Sequence, residues 1–266
     1  MSASMDRLLR IMARLRDPKG GCPWDLEQTF GTIAPHTLEE AYEVVDAIDS
    51  NDKAALKDEL GDLLFQIVFY AQMAEEEGSF DFEQIAEAIC DKMERRHPHV
   101  FGSEAVRDSG EHIQLWETQK AAERAAKAET GVLDGVSVGL PALTRAVKLQ
   151  KRVARVGFDW PGAEQVFDKL SEEIGELRAE LTDAPDQARI QDEMGDILFV
   201  VANLARKLGV DPETALRGCN RKFERRFRHI ETSLAAEGRS PEQASLDEME
   251  KLWIDAKRLE RKSAHG

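Results

Sequence analysis

Apolar residues recur at steps of three and four along most of the chain, which is the spacing of one face of an α-helix. Leu8, Ile11 and Leu15 follow this spacing near the N-terminus. Similar stripes lie at residues 56–67, 140–155, 163–182, 187–208, 213–235 and 243–260. No stretch shows the sustained alternation of a strand bounded by hairpin signals. The pattern therefore predicts an all-α protein.

Helix starts and loops can also be predicted from local sequence. Four residues precede helical stripes as candidate N-caps, two of them followed by proline at the first helical position. They are Asp52, Asp81, Asp211 and Ser240. Residues 101–110 and 131–141 are the segments that we expect to be loops between strong helices. The second loop is the better candidate for a linker.

Four sequence blocks occur twice, in the same order and at a nearly constant spacing. Residues 38–44 (LEEAYEV) resemble 171–177 (SEEIGEL), and 58–65 (DELGDLLF) resemble 192–199 (DEMGDILF). Residues 92–96 (KMERR) resemble 222–226 (KFERR), and a Leu-Trp-x-x-x-Lys block starts at both Leu115 and Leu252. The repeat predicts tandem helical-bundle modules at 1–130 and 141–266, joined by a linker at 131–140.

Composition narrows the range of functions. The 266 residues carry 51 acidic and 36 basic side chains, a net charge of -15, which argues against a nucleic-acid binder. No apolar run is long enough to span a membrane. The first twenty residues lack the features of a secretory signal, and the three cysteines show neither zinc nor disulfide spacing. We therefore expect a cytoplasmic protein with no membrane and no nucleic-acid partner.

Acidic residues within the repeat are candidates for metal binding. Each half carries Glu-Glu-x-x-Glu on one helix and Glu-x-x-Asp on the next, and residues three or four apart share a helix face. The first acidic site consists of Glu39, Glu40, Glu43, Glu59 and Asp62. The second acidic site consists of Glu172, Glu173, Glu176, Glu193 and Asp196. If the two helices are antiparallel neighbours, these carboxylates repel unless cations neutralise them, and Mg²⁺ is the natural ion at phosphate chemistry.

The acids also allow two other interpretations. A single acidic helix face is most often simply solvated, but these acids lie within an apolar helix and occur twice. A ferritin-like di-iron site requires Glu-x-x-His on two helices. Glu94 and His97 form one such motif, but the corresponding position in the second half is Phe227, so redox iron is disfavoured.

Basic and aromatic residues follow the acids in the second half. Lys222 and Arg226 lie one helical turn apart, as do Trp253 and Lys257. The cations match phosphate oxygens, and a tryptophan can stack on a base. Ordinary ion pairing and a core tryptophan are the structural alternatives. Together with the acids, this basic–aromatic cluster (Lys222, Arg226, Trp253, Lys257) favours a site for a nucleotide polyphosphate.

These motifs resemble those of the MazG nucleoside triphosphate pyrophosphohydrolases, within the all-α NTP pyrophosphatase group. The resemblance covers most of the chain and rests on both acidic sites, with residues 20–25 (GGCPWD) and 96–101 (RHPHVF) matching the first half of the two-domain form. It implies Mg²⁺-dependent cleavage of an NTP or dNTP between the α and β phosphates, giving a monophosphate and pyrophosphate. Mn²⁺ is the alternative ion. It also implies a homodimer and a role in cleaning or controlling the nucleotide pool.

The two halves differ at positions that bear on activity. Arg189 aligns with Ala55, and Asn203 aligns with Phe69. We therefore predict the main active site in the second half, with nucleotide contacts from Arg189, Asn203 and the basic–aromatic cluster. The first acidic site is expected to be a weaker second site. The alternative function is a helical protein-interaction scaffold whose nucleotide sites are vestigial.

Overall fold

The chain is described by a computed structural model over residues 2–102, 131–181 and 185–263. These ranges contain helices and connecting turns but no strand, which confirms the predicted all-α class. Every helix in the described ranges is either too short or too polar to span a lipid bilayer. Packing divides the chain into two compact units, Met1–Ala121 and Ala122–Gly266. The module limits 1–130 and 141–266 stay a prediction, because residues 103–130 lie outside the described ranges.

The first unit is built from helices that begin at polar caps. Its helices are α1 (Ala3–Leu15), α2 (Pro23–Glu27), α3 (Phe30–Asp49), α4 (Lys53–Glu76), α5 (Phe82–Arg96) and α6 (Pro98–Phe101). Asp52 and Asp81 accept hydrogen bonds from backbone N–H groups at the starts of α4 and α5, as predicted. Helix α4 packs against α3 and α1. Their shared core contains Met12, Ile33, Val68, Phe69 and Met73.

The second unit repeats this arrangement. Its elements are α7 (Ala142–Ala154), α8 (Ala163–Glu180), α9 (Gln187–Lys207), α10 (Pro212–Ala236), a 3-10 turn (Pro241–Gln243) and α11 (Leu246–Ser263). Helix α9 packs against α8 and α7, as α4 packs against α3 and α1. Gly78 and Gly209 follow the ends of α4 and α9 with φ of 70° and 69°, a left-handed conformation that glycine adopts without strain. The duplication is therefore visible in packing as well as in sequence.

A charged contact lies at the C-terminal end of the long central helix in both units, but the positions of the acidic and the basic residue are exchanged between the units. In the first unit, the buried Arg16 side chain lies 2.7 Å from Glu76 of α4 and also bonds to the backbone carbonyl oxygens of Asp25 and Gln28. In the second unit the acid is in the loop: Asp159 accepts hydrogen bonds from Arg206 and from Lys207 of α9. Each contact ties the end of the long central helix to the loop before its partner helix.

Substitution of Asp159 tests the second of these contacts. Partial burial would raise the pKa of Asp159, but the hydrogen bonds and charges of Arg206 and Lys207 outweigh it and lower the pKa. A lowered carboxyl pKa in the fold stabilises it above the unfolded pKa of about 3.9, and the contribution disappears as the pH falls through the folded value. Asp159→Asn should therefore cost about 1–2 kcal/mol at pH 7. In thermal unfolding, its Tm deficit should shrink below about pH 4.

Glu224→Gln is the matched control, because Glu224 meets Arg228 only at 3.8 Å on an exposed face. It should leave Tm nearly unchanged at both pH values. An Asp159→Asn deficit that stays constant from pH 7 to pH 3 would show that the contact is not the source of the stability.

Candidate active site

The first acidic site forms where α3 packs against α4. Carboxylate oxygens of Glu40, Glu43 and Glu59 all lie within 4.8 Å of one another. Partial burial raises the pKa of Glu40, and the charges of Asp62 and Glu43 raise it further. The pKa of Glu59 is raised by the same two kinds of cause. These carboxylates therefore repel each other without full compensation.

The second acidic site forms at the equivalent contact between α8 and α9. Carboxylate oxygens of Glu173, Glu193 and Asp196 lie within 4.8 Å of one another. The pKa of Glu176 is raised, first by its side-chain contact with Glu173 and also by the charge of Glu193, which places it beside this group. Glu172 lies on the exposed side, with 58% of its side chain accessible. The predicted convergence of acids from two adjacent helices is thus present in both halves.

The two sites bring together different members of the repeated motif. In the first half, the carboxylates within 4.8 Å of one another are those of Glu40, Glu43 and Glu59, and Asp62 is near enough to raise the pKa of Glu40. In the second half, they are those of Glu173 on α8 and of Glu193 and Asp196 on α9. The duplicated sequence therefore does not produce duplicated side-chain geometry.

Lys169 lies inside the second acidic site. Its Nζ is 2.7 Å from Oε1 of Glu172 and 2.8 Å from Oε1 of Glu173. Hydrogen bonds to these two carboxylates raise the pKa of Lys169, so the ammonium is charged. Sequence analysis missed this residue, although its spacing of three and four from the two glutamates was a usable signal.

Glu173 meets the requirements of a metal ligand. The residue is 4% exposed, and its Oε2 atom is buried without a hydrogen-bond donor among the described residues. A buried carboxylate oxygen with no partner is unfavourable unless a cation binds it. Carboxylate oxygens that converge from two helices are the ligands that hard divalent cations prefer. Both acidic sites can therefore hold a metal ion.

The basic–aromatic cluster forms between α10 and α11. Arg226 donates to Oε2 of Glu260 at 2.8 Å, and its guanidinium carbon lies 5.4 Å from the centre of the Trp253 ring. Phe223 packs on the same tryptophan at 5.3 Å. Lys222 and Lys257 are exposed. The structure thus brings all four predicted residues to one helix pair and adds Glu260, which sequence analysis did not identify because it lies on a different helix from Arg226.

Arg189 and Asn203 are both engaged within the unit. Arg189 lies 2.6 Å from Glu180 at the end of the α8–α9 pair. Asn203 is 2% exposed, and its Oδ1 accepts hydrogen bonds from Arg206. Of their first-half counterparts, Ala55 is partly buried near the start of α4 and Phe69 is in the core. Nucleotide contacts by Arg189 and Asn203 stay predictions.

The acidic sites and the basic–aromatic cluster belong to different helix pairs. The acids lie on α3–α4 and α8–α9, whereas the cluster lies on α10–α11. In the first half, the Trp116 and Lys120 equivalents of the cluster fall outside the described residues. A substrate that uses both features must therefore contact two helix pairs.

Comparison with known proteins agrees with the motifs. The model of the MazG nucleotide pyrophosphohydrolase domain matches the chain twice, at residues 28–101 and 162–231. Both acidic sites lie in the matched segments, as do Lys222 and Arg226, whereas Trp253 and Lys257 lie beyond them.

Two relatives match over nearly their whole length. The nucleoside triphosphate pyrophosphohydrolase of Escherichia coli K12 is 56% identical over 257 residues, which cover 96% of this chain and 98% of that protein. The nucleoside triphosphate pyrophosphohydrolase/pyrophosphatase MazG of Thermotoga maritima is 39% identical, with 95% of each chain covered. With two domain matches and relatives of this extent, the chain belongs to the MazG nucleotide pyrophosphohydrolase family.

Proposed function

We propose that this protein is a nucleoside triphosphate pyrophosphohydrolase that cleaves NTPs or dNTPs between the α and β phosphates. The products are a nucleoside monophosphate and pyrophosphate. The observation that carries the proposal is the pair of acidic sites at equivalent helix contacts, one of which includes a buried carboxylate oxygen without a donor in the described part of the chain. Family membership and full-length relatives named for this activity support the enzyme over an interaction scaffold.

The second acidic site is proposed to hold Mg²⁺, with Mn²⁺ as the alternative ion, through Glu172, Glu173, Glu176, Glu193 and Asp196. When bound, Mg²⁺ polarises phosphate oxygens and offsets the charge that develops on them. Glu173 is a positioned ligand, because its side chain is 6% exposed and is paired with Lys169. One carboxylate of the site holds or deprotonates the attacking water.

The basic–aromatic cluster is proposed to bind the nucleotide. Lys222 and Lys257 are exposed and can approach phosphate oxygens, whereas Arg226 is oriented by Glu260 and Trp253. The tryptophan offers a ring for the base or ribose. An NTP carries about four negative charges, so the protein must supply cations beyond those of the metal.

The second half is proposed as the main active site because the first half lacks two of these polar groups. Arg189 can turn from Glu180 to a phosphate, and Asn203 is proposed as a further nucleotide contact. Ala55 and Phe69, at the corresponding positions of the first half, have no polar side-chain group with which to contact a phosphate. The first acidic site then serves as a weaker site.

A homodimer is proposed from an apolar stripe on the surface of α9. Met194, Leu198 and Val201 lie along one face and are 43%, 51% and 38% exposed. Such a stripe favours burial against another helix. Leu60 and Ile67 form the same exposed stripe on α4. A second copy of the chain can also bring a basic–aromatic cluster to an acidic site.

Substitution of the metal ligands tests the main active site. Glu193→Gln or Asp196→Asn should lower pyrophosphate release from Mg²⁺-NTP by about 100-fold or more, because the phosphates lose charge stabilisation. The matched first-half changes, Glu59→Gln and Asp62→Asn, should lower it less than about threefold. The assay is release of pyrophosphate over a panel of NTPs and dNTPs. Equal losses in both halves would contradict the assignment to the second half.

Substitution of the exposed lysines tests nucleotide binding. Lys222→Met and Lys257→Met should each raise KM about tenfold, because each removes one cation from the phosphate chain. Arg221→Met is the control, since Arg221 lies on α10 beside the cluster but outside it. Steady-state kinetics measure the change. Unaltered KM in both lysine variants would place the nucleotide elsewhere.

A charge within the apolar stripe tests the homodimer. We expect light scattering to give about twice the chain mass of 29.8 kDa at micromolar concentration. Leu198→Glu should shift the protein to the monomer, because it places a carboxylate in a buried apolar contact. Glu224→Gln, on the exposed face of α10, should leave the mass unchanged. A monomeric unsubstituted protein would contradict the proposal.

A further inference from the structure

We propose that Lys169 is a built-in counterion that competes with free divalent cations for the second acidic site, whereas a histidine takes the equivalent place beside the first acidic site. Free divalent cations then bind the first site more tightly than the second. This inference rests on the proposed function in one respect: it takes the two groups of carboxylates as metal sites.

Lys169 is positioned to take the place of a metal ion in the second acidic site. It lies one helical turn before the two adjacent glutamates of α8, and its Nζ is within 2.8 Å of an oxygen of each. The side chains of Lys169 and Glu173 are 30% and 6% exposed, so their ion pair is shielded from water on one side. A metal ion that binds Glu173 through Oε1 must displace the ammonium, which opposes metal binding.

The remaining carboxylate oxygen of Glu173 shows that Lys169 does not neutralise the second acidic site completely. Oε2 is buried and has no donor within the described ranges, although Oε1 is paired. Lysine supplies a single positive charge to a group of five acids. The site thus keeps its affinity for a cation, at a reduced level.

The first half has a histidine at the equivalent position. His36 precedes Glu39 by three residues, as Lys169 precedes Glu172, and its Nδ1 lies 3.5 Å from Oε2 of Glu39. The ring also lies edge-on to Trp24, with centroids 6.2 Å apart.

The carboxylate contact of His36 is with Glu39, which does not belong to the converging carboxylates of Glu40, Glu43 and Glu59. Lys169, in contrast, is paired with Glu173, which does belong to the converging carboxylates of its half. The converging carboxylates of the first acidic site are therefore less neutralised than those of the second.

The difference gives the two halves different ways to acquire metal. The first acidic site is loaded by free divalent cations. Lys169 competes with metal at the second site, so this site binds metal when the metal arrives together with nucleotide phosphates. Binding of the phosphates to other parts of the unit adds to the affinity. The half proposed as catalytic is thus kept from filling with metal in the absence of substrate.

A Mn²⁺ titration followed by electron paramagnetic resonance tests this inference on the full chain without nucleotide. The unsubstituted protein should show one tight and one weak class of sites. Lys169→Met should tighten the weak class about tenfold, because a competing charge is removed. Lys169→Arg keeps the charge and should keep the class weak. His36→Lys should weaken the tight class by a similar factor.

The inference is overturned if Lys169→Met leaves both classes unchanged or weakens either of them. It is also overturned if His36→Lys has no effect, a result that does not depend on the folding of the Lys169 variants. Pyrophosphate release by the unsubstituted protein with Mg²⁺-NTP, measured on the same samples, separates this inference from the proposed function. Two Mn²⁺ classes that respond as stated, without turnover, would contradict the function and support the counterion.

Discussion

Repulsion between carboxylates on two packed helices is the constraint on which the rest of the structure depends. The apolar stripes of α3 and α4, and of α8 and α9, bring these helices together, and the same packing forces their acids to within 4.8 Å. The raised pKa values of Glu40, Glu59 and Glu176 record the unfavourable interaction. A fold that keeps such a contact in both halves is organised to hold cations there.

The two halves respond to this constraint differently. In the second half, Lys169 offsets part of the charge, and Asp159 holds the far end of α9 through Arg206, which also contacts Asn203. In the first half, Arg16 and Glu76 hold α4 with the opposite polarity, and Phe69 fills the position of Asn203 with a core side chain. The same scaffold therefore carries different charged and apolar contacts in its two halves. These differences, with the different counterions of the two acidic sites, support the proposal that the two halves act differently.

The fold could be predicted from sequence because helical periodicity and N-caps are local signals. Asp52, Asp81 and Asp211 begin helices as expected, and the spacing of the acids, together with an expected antiparallel packing of the two helices, predicted that acids from both helices converge. Contacts between helices could not be predicted in the same way. The pairings of Arg189 with Glu180 and of Arg226 with Glu260 depend on which side chains meet across a helix pair. The burial of Asn203 likewise depends on packing that one sequence does not specify.

A phosphorus-31 NMR spectrum of an NTP incubated with the full chain tests the central claim, that metal held by these acids serves cleavage between the α and β phosphates. The spectrum is recorded with Mg²⁺ and again with excess chelator. The account predicts nucleoside monophosphate and pyrophosphate as the products with Mg²⁺, and an unchanged triphosphate with chelator. Nucleoside diphosphate and orthophosphate as the products, or turnover that persists in chelator, would contradict it.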